Sequence, residues 1–83
     1  MMSNSKPVSF ENKDKYVELG LNIAFYRKHA GLTQEELAER AGISRSHLSA
    51  IEAPNVIRPF SLEILFNIAT ALGVKASSLL EFR

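Results

Sequence analysis

Between residues 33 and 53 the apolar positions fall into two short sets at helical spacing, divided by a glycine. Leu37, Ala38 and Ala41 share one face of a predicted helix, and Glu35, Glu36, Glu39 and Arg40 share the other, solvated one. Thr33 is placed to cap that helix while Glu36 reaches back three positions to the Thr33 amide, so the helix starts at Gln34. Its three acids lie near the positive end of the helix dipole. Gly42 supplies a left-handed stop, followed by the apolar Ile43 that commonly accompanies one. Ser44 then caps a second short helix, whose Leu48 and Ile51 point with Ile43 toward the core. The small Ala38 lets the two helices cross closely.

The same reading extends along the chain. Asn12 can cap a first helix running to about His29 or Ala30, with Leu19, Ile23 and Tyr26 inward, Gly31 after its end and Leu32 anchoring the next turn. Ser61 caps a fourth helix, the expected central packing element, whose Leu62, Leu65, Phe66, Ile68, Ala69 and Leu72 make a wide apolar stripe closed by Gly73. Residues 76–82 read as a short fifth helix with Leu79, Leu80 and Phe82 apolar. The expected architecture is all-α: residues 13–83 as one five-helix domain, and residues 1–12, MMSNSKPVSFEN, as an arm that is flexible or packed on it.

A second apolar stripe runs along the first helix, where Val17, Leu21 and Phe25 recur at four-residue spacing beside Ala24. Either the arm folds over it through Val8 and Phe10, or it is a dimer or partner surface, since contiguous exposed apolar patches mark contacts.

Composition bounds the rest. Eighty-three residues with 46% apolar content suit one small domain, which buries only about 60% of its unfolded surface and gains from dimerisation. The absence of cysteine removes disulfides and thiolate metal sites, and no apolar run is long enough to span a membrane, which makes the cytoplasm the default compartment. A formal net charge of +1 does not by itself indicate nucleic acid. Its distribution says more: Arg40 to Arg58 holds three arginines and His47 against the single acid Glu52.

Two helices joined by a tight turn read either as an ordinary helical hairpin with no ligand or as a helix-turn-helix, in which the first residues of the second helix reach base edges. With Leu48 inward, about 100° per residue sends Ser46, Ala50 and Ala53 outward with Ser49 beside them, and Arg45 and Ser46 come first along the helix. Arg45 alone of these can make the bidentate contact to guanine. His47 reads either as a phosphate contact or as a solvated surface histidine.

The chain resembles the Xre-type, lambda-repressor-like helix-turn-helix family of bacteria and their phages. The resemblance runs from about Leu19 to Leu80, through LNIAFYRKHAGLTQEELAERAGISRSHLSAIE and FSLEILFNIATALGVKASSLL. It implies five packed helices, the third in the major groove of double-stranded DNA, and a homodimeric transcription regulator, a repressor, without a cofactor. By matching positions it implies that Gln34 meets a phosphate and braces the reading helix. Arg45, Ser46, Ser49 and Ala50 would face bases, and Arg27 and Glu52 would pair as a clamp. The linker Ala53 to Phe60, APNVIRPF, is about two residues longer than is usual in the family, and its Asn55 and Arg58 would lie along the DNA backbone. Its Val56, Ile57 and Phe60 point to partial burial or a protein interface.

Two function classes remain. The leading one is sequence-specific DNA binding, with half-sites about one helical turn apart. The other is a protein-interaction module of the same fold with weak DNA binding, such as an antitoxin or partner-binding regulator, using Val17, Leu21 and Phe25. Catalysis is not indicated: no phosphate-cradling glycine loop, serine elbow or cysteine is present, and the two histidines lack metal-ligand spacing. Glu35, Glu36 and Glu39 read as a solvated helix face.

Overall fold

The computed structural model describes residues 10–82, which form five α-helices and no strand. They are α1 (Lys13–His29), α2 (Gln34–Ala41), α3 (Arg45–Glu52), α4 (Leu62–Leu72) and α5 (Ala76–Leu79).

Local chemistry sets the boundaries of α2 and α3. Thr33 Oγ1 accepts from the Glu36 amide at 3.0 Å and Glu36 Oε1 accepts from the Thr33 amide at 2.8 Å, a complete capping box. At Gly42, φ is 76°, a conformation that strains any residue with a Cβ, and the Ile43 amide donates to the Ala38 carbonyl at 3.0 Å. α1 and α4 stop at Gly31 and Gly73 in the same way. Ser44 and Ser61 cap α3 and α4 by accepting from the amides of His47 and Ile64.

Thr33→Ala is expected to cost about 1 kcal/mol in a urea melt through loss of the cap. The bond from the Thr33 backbone N–H, with the Thr33 side chain adding to it, holds the Glu36 carboxyl below its ordinary pKa. A carboxylate with a depressed folded-state pKa contributes stability above its unfolded value and loses it as pH falls through the folded one. Glu36→Gln is therefore expected to flatten the acid limb of a stability-versus-pH curve.

The core takes one fully buried side chain from every helix: Ile23, Leu37, Leu48, Ile68 and Leu79. α4 packs on α2, and α1 packs on α3.

Three expectations are corrected. Asn12 does not cap α1 with its side chain; Phe10–Asn12 form a 3-10 turn, so Asn12 is already in a helical conformation (φ −93°, ψ −5°) rather than the extended one a cap needs. In α4 only part of the stripe is buried: Leu65, Ile68 and Ala69 are inside, whereas Leu62 is 65% and Phe66 50% exposed. They lie about 120° and 160° around the helix from Ile68. The last helix ends at Leu79 rather than near Phe82, because Asn22 of α1 donates from Nδ2 to the carbonyls of Leu79 (2.9 Å) and Glu81 (3.1 Å) and turns the tail along α1.

Leu21 and Phe25 are exposed and Val17 half-buried. Contacts of Val8 and of the Phe10 side chain with this stripe lie outside the described residues.

Candidate nucleic-acid interface

Helix α3 is positioned from two sides. In its last turn, α1 comes so close that a Cβ on Gly20 would meet the carbonyl oxygen of Ile51 and lie 3.4 Å from the Glu52 Cα. At its end, Glu52 is held by a network spanning three helices. Arg27 donates from Nε to Glu52 Oε2 (2.8 Å) and from Nη2 to Oε1 (3.0 Å), and its Nη1 donates to the Leu32 carbonyl (2.8 Å). Gln34 adds a bond from Nε2 to Glu52 Oε1 at 2.9 Å. The Arg27 and Glu52 side chains are 11% and 5% exposed, so this is a bidentate ion pair largely withdrawn from water. It ties the end of α1 and the start of α2 to the last residue of α3.

The opposite side of α3 is open. Arg45, Ser46 and Ser49 are exposed, Ala50 is half-buried, and Asn55 and Arg58 are exposed on the following linker. In that linker Val56 is exposed while Ile57 and Phe60 are half-buried, with Phe60 against the core. The Ser46 hydroxyl lies 3.4 Å from that of Ser44.

His47 is not the fully solvated surface histidine that one reading of the sequence expects. It is half-buried, and its Nε2 is screened from solvent with no hydrogen-bond partner among the described residues. The residue lies beside the inward face of α3 because position 47 is only about 40° around the helix from the buried Ile51. Gln34 is half-buried and its amide is engaged by Glu52.

Sequence reasoning missed Gly20 and Asn22. Gly20 carried a usable signal, a glycine inside a helix with no turn to explain it. Asn22 carried none, because its acceptors lie 57 and 59 residues away. Among the described residues no group of His, Asp and Glu is placed to hold a metal ion, and no helix is long and apolar enough to cross a membrane.

Five helices around one core, with the start of a clamped third helix left open, define the DNA-binding helix-turn-helix fold. The chain belongs to the Xre-type, lambda-repressor-like branch of it: a helix-turn-helix family profile matches residues 23–79. It is 38% identical over 63 residues to the HTH-type transcriptional regulator SinR of Bacillus subtilis, an alignment covering 76% of this chain and 56% of SinR. The chain thus spans about half the length of that relative. SinR solved in complex with DNA superposes with a TM-score of 0.70 at 38% identity, over 76% of this chain and 98% of that one. The restriction-modification controller protein C.AhdI of Aeromonas hydrophila superposes with a TM-score of 0.74 at 32% identity, over 80% of this chain and 97% of its own.

Proposed function

We infer that this chain is a cytoplasmic transcription regulator, a repressor, that binds double-stranded DNA as a homodimer with α3 in the major groove. The observation carrying this reading is the division of α3: Leu48, Ile51 and Glu52 are buried, while Arg45 and Ser46 at its start and Ser49 one turn on are exposed. That is the arrangement by which a helix-turn-helix offers its first residues to base edges. A relative of this fold solved with DNA supports it.

Arg45 is the base-discriminating residue, able to bridge guanine O6 and N7. Ser46, Ser49 and Ala50 are short, so specificity leans also on DNA shape. The N-terminal amides of α2 face a phosphate, and the engaged Gln34 side chain acts as a brace. Asn55 and Arg58 follow the backbone from the linker.

Selection of bound fragments from random DNA supplies the site and its half-site spacing. Binding to that site is expected to weaken with salt at a slope of about 0.9 per phosphate neutralised. Arg45→Ala is expected to lose about 1–3 kcal/mol of discrimination at one base pair, read as relaxed preference there. An unchanged affinity and preference would remove α3 as the reader. Salt-independent binding, or none, would favour the second reading, a partner-binding module such as an antitoxin, which the exposed Leu21 and Phe25 and the small net charge support.

A further inference from the structure

Leu21 and Phe25, on the outer face of α1, are 47% and 59% exposed, and with Phe82 they line a groove of about 670 Å³. Phe25 is fixed there by ring contacts with Tyr26 and His29, whose centroids lie 5.2 and 5.9 Å away. The charged side chains lining the groove are both acids, Glu18 and Glu81, and neither enters an ion pair among the described residues. A second hollow, bordered by Asp14, Val17, Glu18 and Phe82, continues the groove toward the start of α1.

We propose that this groove is the seat of the chain's own residues 1–9, laid antiparallel along α1 with Lys6 against Glu18 and Met2 against Leu21 and Phe25. The inference goes beyond the DNA-binding reading and does not depend on it. Reach supports this occupant. From Phe10 to the level of Glu18 is about 14 Å along the 3-10 turn and α1, and to the level of Phe25 about 24 Å. Extended backbone covers about 13 Å from Phe10 back to Lys6 and about 26 Å back to Met2. Pro7 favours that extended form, since it disfavours helical backbone at Lys6. Charge supports it too: Lys6 is the one charged residue among the nine, and it meets a rim of acids. Its methylene stem can lie on the apolar floor while the ammonium reaches the carboxylate. The unbranched Met2 suits an irregular hollow, and its sulfur is well matched to the rings of Phe25 and Phe82. Covalent attachment completes the case, because a tethered segment acts at an effective concentration of the order of millimolar and fills a seat too weak to hold the same peptide from solution. A partner using Leu21 and Phe25 must then displace the chain's own segment.

The test uses the full chain, which has no cysteine, so that Ser3→Cys supplies a single thiol for a nitroxide spin label. In amide proton–nitrogen spectra the signals of Leu21 and Phe25 are expected to be lost to broadening and to return when the nitroxide is reduced. Those of Glu39 and Ser46, which line neither hollow, are expected to persist throughout. Lys6→Glu is expected to restore the Leu21 and Phe25 signals with the label still active, and Glu18→Lys in the same chain to abolish them again. Should Glu18→Lys lose helicity by circular dichroism, Glu81→Lys takes its place. Leu21 and Phe25 signals that persist in the labelled chain would overturn the proposal and leave the groove to a separate partner. A charge swap without effect would overturn the pairing that sets the register. Equal broadening of a nitrogen-15 chain by a spin-labelled second copy would place the segment on another molecule and overturn the seat within one chain. None of these outcomes bears on whether α3 reads DNA.

Discussion

Replacing Arg27 with alanine is expected to destabilise the domain by about 3–5 kcal/mol, the cost of stranding a buried charge. Glu52 would keep a single donor, the Gln34 amide, for a carboxylate 5% exposed to water, and the Leu32 carbonyl would lose its guanidinium partner. In a small domain whose total stability is of the order of 5 kcal/mol, this leaves a substantial unfolded fraction at room temperature. Guanidinium unfolding followed by circular dichroism measures the loss. The double replacement Arg27→Met with Glu52→Leu is expected to recover most of it, because no orphan charge remains. A loss below about 1 kcal/mol for Arg27→Ala would give the pair only the worth of a surface bridge, and the clamp would be discarded.

Gly20→Ala is expected to reverse its usual sign. Inside a helix, alanine is favoured over glycine by about 1 kcal/mol. At residue 20 the added methyl meets the Ile51 carbonyl, a backbone group that cannot rotate away as a side-chain tip would. Relief requires α1 and α3 to separate, so a net loss of about 2–3 kcal/mol is expected, at the upper end of overpacking. DNA affinity is expected to fall with it, because the displaced element carries Arg45. A melting temperature at or above that of wild type would show that α1 and α3 do not meet at this distance in solution.

These two positions show where sequence reading works and where it stops. Thr33 with Glu36, Ser44 with His47 and Ile43 with Ala38 are bonds between residues three to five apart, so the helix starts and stops around the turn are written locally. Angular arithmetic places Ser46 and Ser49 on the exposed side of α3, whereas Ala50 and Ala53, which it also sends outward, are half-buried where the helix runs into the linker. The buried stripe of α4 is narrower than its apolar one because apolar identity does not say whether a neighbour exists: Leu62 and Phe66 are as apolar as Leu65 but face away from the core. The half-burial of His47 and the latch from Asn22 depend on how distant elements meet, which no local pattern records. Gln34 shows the same limit, since its bond to Glu52 exists only once α2 and α3 are packed.

The division of α3 has a bearing on how such a protein changes over generations. The residues that hold the helix, Gly20, Arg27, Leu48, Ile51 and Glu52, are a different set from those it turns outward, Arg45, Ser46 and Ser49. Exchanges at the outward positions touch no buried contact and fall within about 0.5 kcal/mol of neutral for folding. In the DNA-binding reading, the sequence recognised can drift by substitution at two or three surface positions while the scaffold stays fixed. The short serines at 46 and 49 are then an open address, ready to be rewritten without refolding the domain around it.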